Sequence, residues 1–188
     1  MRRITFDIET TNTSNIIDPK QMEISVVGIH DSLTDTLTAF TVPEFPVLWP
    51  ILEHADVLVG FNSDHFDIPI LNKYYTGDLT TIRSIDLLTA VRESLGRRIK
   101  LDLIAKATLG TKKSGSGLDA VKWWKEGKYE KVKKYCLDDV KITKDIYEYA
   151  LKNGFVKYSD FGKVRQIPID TSSWETGTKG ALTHTLPF

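Results

Sequence analysis

The chain has 188 residues and a mass of 21.3 kDa, a length that suits one domain with a full hydrophobic core and leaves little room for a second. With 41% hydrophobic and 27% charged residues, 12 Gly, 7 Pro and one Cys, it is neither disordered, collagen-like nor a disulfide scaffold. The formal net charge is zero, but residues 1–96 carry 6 basic and 14 acidic side chains, residues 97–134 carry 12 and 4, and residues 135–188 carry 7 of each; the chain is electrically divided.

Residues 2–9 alternate, with Ile4, Phe6 and Ile8 on one side and Thr5, Asp7 and Glu9 on the other, the period-two pattern of a strand. Further strands are expected near 23–30 and 36–42, separated by the turn formers of His30–Asp35, so three antiparallel strands form a meander. A short helix over 47–54 precedes a buried strand at 56–61. The pattern then turns helical: 67–75, 86–95, 101–108, 118–125 and 129–151, with a short strand at 81–85. Strands first and helices later, with one crossover between them, predict an α/β fold. Residues 109–117 form a Gly/Ser-rich loop with Lys112 and Lys113; it is not a phosphate-cradling P-loop, because that pattern needs Lys at position 116, where Ser stands. Residues 155–170 return to strand around Lys163–Ile169, closing a domain of residues 1–170, and 171–188 read as a polar, flexible tail.

Three elements carry chemistry. Asp7 and Glu9, two apart on a strand, leave the same face about 6–7 Å apart. In an apolar strand they would repel each other and lose hydration, and a divalent cation is the ordinary remedy; an exposed edge strand with a polar face is the alternative. Hard oxygen donors suit Mg²⁺ or Mn²⁺ better than zinc. The second element is Gly60–Asp67 (Gly-Phe-Asn-Ser-Asp-His-Phe-Asp), at the carboxyl end of a strand, where ligand groups collect in open α/β sheets; Asp67 also suits a plain helix cap. In the third, Tyr135 and Asp139 lie one helical turn apart, on what could equally be a solvated face. Cys136 has no spaced His partner and reads as a small core residue. Trp123 and Trp124 could stack on bases or pack, and His30, His54 and His65 carry no strong signal.

In this order, Phe6-Asp7-Ile8-Glu9-Thr10, Asn62-x-x-x-Phe66-Asp67 and Tyr135-x-x-x-Asp139 resemble the three motifs of the DEDD superfamily of 3′→5′ exonucleases, within the ribonuclease H-like fold. The Tyr-x-x-x-Asp spacing resembles the DEDDy branch; the DEDDh branch would have His where Lys134 stands. Together with Ile85-Asp86-Leu87-Leu88 and Leu101-Asp102-Leu103-Ile104-Ala105, the motifs most resemble the proofreading domains of family B DNA polymerases and their stand-alone or helicase-associated relatives. The resemblance covers residues 2–150 and implies a mixed five-stranded sheet, three antiparallel strands first and parallel strands after.

It also implies phosphodiester hydrolysis at a 3′ end by two Mg²⁺ or Mn²⁺ ions, about 3.5–4 Å apart, releasing nucleoside 5′-monophosphates. Asp7, Glu9, Asp67 and Asp139 would be the metal ligands and Tyr135 would orient the attacking water. Thr10, Asn62, Phe66, Lys112 and Lys113 would hold the substrate, single-stranded DNA or RNA. Asp138 could also face the site, although only Asp139 satisfies the spacing. The basic stretch from Arg97 to Lys134 would be the strand path, unless it merely solvates helix faces. A catalytically silent binding module on the same fold is the alternative from another class, and an endonuclease of ribonuclease H type a third. No apolar run approaches the roughly 18 residues of a membrane span, no signal peptide is visible, and a lone Cys136 fits a reducing compartment. The expectation is a cytoplasmic protein working with a larger replication or repair assembly.

Overall fold

The computed structural model describes residues 1–12, 21–111 and 115–176. Its first strand, β1 (Arg3–Thr10), pairs antiparallel with β2 (Ile24–Asp31), and β2 with β3 (Thr36–Phe40). A short helix, α1 (Phe45–Glu53), then crosses to β4 (Val57–Gly60), which runs parallel to β1 and to β5 (Ser84–Asp86). The sheet order β3-β2-β1-β4-β5 puts β1 at the centre. This is the mixed five-stranded α/β sheet expected from the motifs. Between β4 and β5 lies α2 (Asp67–Leu71); α3 (Leu87–Leu95), α4 (Leu101–Leu109), α5 (Gly117–Lys125) and the long α6 (Tyr129–Asn153) follow.

The alternation in β1 sorts its side chains between two cores. Ile4, Phe6 and Ile8 pack with α1 and α2 residues such as Leu48, Leu52, Ile68 and Leu71. Thr5 pairs with Val59, whose side chain joins Ile142 and Ile146 of α6 in the opposite core. Asp7 and Glu9, in step with Thr5, therefore face α6. Every residue of β2 is buried, as expected for a strand covered on both faces.

Several boundaries differ from those predicted, each for a local reason. The third strand stops at Phe40 because Thr41 and Glu44 close a capped 3₁₀ turn, with the Thr41 N–H donating to Glu44 Oε2 at 2.7 Å. The helix expected over 67–75 ends at Leu71, where the following N–H groups bond three residues back (Lys73 to Ile70 O at 3.1 Å, Tyr74 to Leu71 O at 2.9 Å) and Asn72 Oδ1 accepts from Leu79 N at 2.9 Å. The return to strand at 155–170 is a hairpin, β6 (Phe155–Asp160) and β7 (Lys163–Pro168), forming its own two-stranded sheet. Residues 171–176, read from sequence as the start of the tail, lie against the body: Trp174 is buried and stacks on Tyr147, ring centroids 5.1 Å apart. Among the described residues, no helix is long and apolar enough to cross a membrane.

Candidate active site

Opposite Asp7 in the β1–β2 register stands Gly28. A Cβ at that position would lie 2.9 Å from Cys136 Sγ and 3.0 Å from Val140 Cγ2, so glycine is what lets α6 approach the sheet this closely. Cys136 rests with Sγ 3.4 Å from the Asp7 carbonyl oxygen, and one turn on, Asp139 arrives beside β1. Asp7, Glu9 and Asp139 each offer a carboxylate oxygen, and these oxygens all lie within 4.8 Å of one another. Glu9 and Asp139 are buried and Asp7 is half-buried. Three carboxylates this close, largely out of water, destabilise one another's ionised forms, and an all-oxygen set of this kind fits a hard divalent cation such as Mg²⁺ or Mn²⁺. The triad could bind a metal ion. Burial, reinforced by the charges of Asp7, Glu9 and Asp139, pushes the Cys136 thiol well up, so it stays protonated and offers no thiolate.

Asp67 stands outside that triad, on the backbone between two of its members. β4 accompanies β1 only from Arg3 to Thr5; beyond that point the Ile8 N–H donates to Asp67 Oδ1 at 3.1 Å. Burial raises the Asp67 carboxyl to about 7, the charge of Asp86 adding to the shift while N–H donors from Ile8 and its own backbone oppose it. The loop before Asp67 is clamped by Asp86, whose Oδ1 accepts from Asn62 N at 2.7 Å and Oδ2 from Asp64 N at 3.3 Å. The same carboxylate caps α3 through Leu88 N. Asn62 is held at φ 68°, and its Oδ1 accepts from Arg98 at 2.6 Å. Phe66 is half-buried against the α1–α2 core.

Tyr135 is buried edge-on to Trp123, centroids 6.0 Å apart, and its hydroxyl is hydrogen-bonded to Asp139. Burial first, then the charges of Asp139, Glu9 and Asp7, drive its pKa far above the ordinary phenol value. Lys131 lies over the Trp123 ring at 4.0 Å, and Trp124 packs on Tyr129 at 4.5 Å. Thr10, just past a β-bulge at Glu9, is buried and donates to the Asn12 carbonyl at 3.0 Å. Asp138 pairs with Lys134 at 2.7 Å on the next strip of the helix. Lys112 and Lys113 lie outside the described residues. His30 contacts Asp35 and His54 the Pro50 carbonyl, while His65 is exposed.

A family model described as the RNase H superfamily matches residues 4–151, a span that contains all three motifs. The chain belongs to the RNase H superfamily. It is 24% identical over 211 aligned residues to DNA polymerase 2 of Aeropyrum pernix, covering 90% of this chain and 25% of that protein. Its fold is similar to the family B DNA polymerase of the hyperthermophilic archaeon Pyrobaculum calidifontis, with a TM-score of 0.62 and 21% identity over 80% of this chain and 24% of the polymerase. The chain thus spans about a quarter of the length of these relatives.

Within this RNase H superfamily domain, three residues shape the site in ways that no local pattern in the sequence reveals. Gly28 looks like any glycine in a strand, although a glycine inside a buried strand is itself a sign of close approach by another backbone. Asp86 was visible as part of a motif, but its double duty as cap and loop clamp depends on β5 lying beside β4. Arg98 was one cation among twelve in its stretch, and no local pattern distinguishes it.

Proposed function

We propose that this chain is a metal-dependent 3′→5′ exonuclease of the DEDDy type, hydrolysing phosphodiester bonds at the 3′ end of a single strand and releasing nucleoside 5′-monophosphates. The observation that carries the reading is the convergence of Asp7, Glu9 and Asp139 within 4.8 Å, with the Tyr135 hydroxyl bonded to Asp139. The match to the RNase H superfamily and the likeness to family B DNA polymerases support it. Two Mg²⁺ or Mn²⁺ ions, held by Asp7, Glu9 and Asp139 with Asp67 alongside, would supply Lewis acidity toward the phosphoryl oxygens and a lowered pKa for water.

The chain's own groups do the rest. Tyr135, kept protonated by burial and three carboxylates, is a poor base; it donates its one O–H to Asp139, and its oxygen accepts from the attacking water and orients it. Asp67, anchored on the Ile8 N–H, keeps a carboxylate oxygen at the rim of the cluster. Asn62 and Phe66, with Thr10 at the end of β1, receive the terminal nucleotide, Phe66 through its ring. Lys112 and Lys113 extend the grip to phosphates. The relatives are polymerases about four times as long, and this domain acts on strands delivered by a larger replication or repair assembly.

The test is incubation of 3′-labelled and 5′-labelled single-stranded DNA and RNA with Mg²⁺ or Mn²⁺, wild type against Asp139→Asn. The expected result is mononucleotides released from the 3′ end and a loss of at least about a hundredfold in the variant. Cutting of closed circular single strands would assign an endonuclease instead. No metal-dependent cleavage of any of these substrates would leave a binding module.

A further inference from the structure

The β6–β7 hairpin turns at Asp160–Lys163 through two left-handed residues, Phe161 at φ 46° and Gly162 at φ 77°. Turns of this kind favour Asn, Asp or Gly at the first of these positions, and a bulky residue there is an outlier. Phe161 is also 100% exposed, so packing against the body does not account for it. A fully exposed aromatic residue on a strained backbone is a place to look for ligand contact. Its surroundings are cationic. Arg97 reaches Asp160 at 3.4 Å and lies over the Tyr158 ring at 5.5 Å, while Arg165 Nε meets the other Asp160 oxygen at 3.3 Å. Lys163 is exposed and has no acidic partner among the described residues. The residue after Arg97 points the other way: Arg98 donates to Asn62 at 2.6 Å, where Asn62, His65, Thr89, Arg92 and Arg98 line a small hollow. One turn of chain therefore braces the hairpin tip with one arginine and the candidate site with the next.

We propose that the hairpin tip is a second contact for the substrate strand, with Phe161 stacking on a base and Lys163, Arg92 and Arg98 meeting phosphates. The proposal rests on the exonuclease reading, and it adds where the strand runs: all nucleotides beyond the scissile bond of a 3′ exonuclease lie on its 5′ side, so this contact holds upstream nucleotides. Cationic grooves set with aromatic platforms bind single strands without sequence preference.

The test is fluorescence anisotropy of 5′-fluorescein dT4 and dT15 at low salt with a chelator, which separates binding from catalysis. Wild type gains affinity on lengthening from dT4 to dT15. Phe161→Ala loses about fivefold for dT15, the low end of one aromatic–base stack, and less than twofold for dT4; Phe161→Trp keeps the gain. Phe161→Gly weakens dT15 binding while raising the Tm, because glycine relaxes the left-handed turn. Equal dT15 affinity in wild type and Phe161→Ala overturns the proposal, and a simultaneous change in self-association on size exclusion would assign the tip to a protein surface. Loss of dT15 affinity in Phe161→Ala, with no Mg²⁺-dependent cleavage by the wild type, would overturn the exonuclease reading and keep the strand contact. A wild-type chain that binds neither oligonucleotide overturns the strand contact, while Mg²⁺-dependent release from the 3′ end decides the exonuclease reading separately.

Discussion

Asp67 shows what burial does to a carboxyl group before any ligand arrives. Its pKa of about 7 stands above the ordinary value near 4 of an unfolded aspartate. Between those values the folded chain holds a proton that the unfolded chain has released, so the contribution of Asp67 to stability is greatest below about pH 4 and is lost as pH rises through 7. For the metal-free protein in chelator we expect a loss of about 2 kcal/mol between pH 5 and pH 8, or roughly 4–8 °C in Tm for a chain of this size. Asp67→Asn, which can still accept from Ile8 N–H, should flatten that slope; an unchanged pH profile in the variant would assign the dependence to another group. The identity of Asp67 as a candidate was legible from its spacing after Asn62 and Phe66. Its pKa was not, because desolvation depends on α2 lying against β1 just where β4 ends.

At the scale of elements, the decisive contact is α6 on the β1–β2 pair. The helix itself was plain from its periodicity, and Tyr135 and Asp139 from their four-residue spacing. What no local pattern contains is the separation between helix and sheet, which is set by the missing side chain of Gly28. Gly28→Ala should cost about 1–3 kcal/mol by overpacking against Cys136 and Val140, and should lower cleavage at least tenfold by lifting Asp139 from Asp7 and Glu9, since displacements near 1 Å can cost about a hundredfold. Adding Cys136→Ala removes the nearest clashing atom and should restore part of both; urea titration and single-strand cleavage on the two variants measure it. The β6–β7 hairpin escaped sequence reading for a related reason. Phe161 occupies a turn position where residues of its type are rare, so the segment looked like one strand instead of two.

For the molecule as a whole, the C-terminal stretch marks the limit of local reading. The composition of residues 171–188 is polar, yet Trp174 inserts beside Tyr147 with the two rings 8° from parallel, and Glu175 accepts from the Tyr147 hydroxyl at 2.9 Å and pairs with Arg3 at 3.0 Å. Trp174→Ala should therefore cost about 3 kcal/mol, lowering the Tm by roughly 6–12 °C, whereas a residue in a solvated tail would change it by less than about 0.5 kcal/mol. Calorimetry on the variant distinguishes the two.

What the amino-acid order settled unaided were the features written at short range: the alternation of β1, the helical periods, and the identity and sequence of Asp7, Glu9, Asn62, Phe66, Asp67, Tyr135 and Asp139. Tertiary structure alone decided which of these groups meet and how they ionise. Asp7 and Asp139 are separated by most of the chain, and both the distance between their oxygens and the water around them are set by packing, in which one absent methyl group at Gly28 outweighs any local propensity.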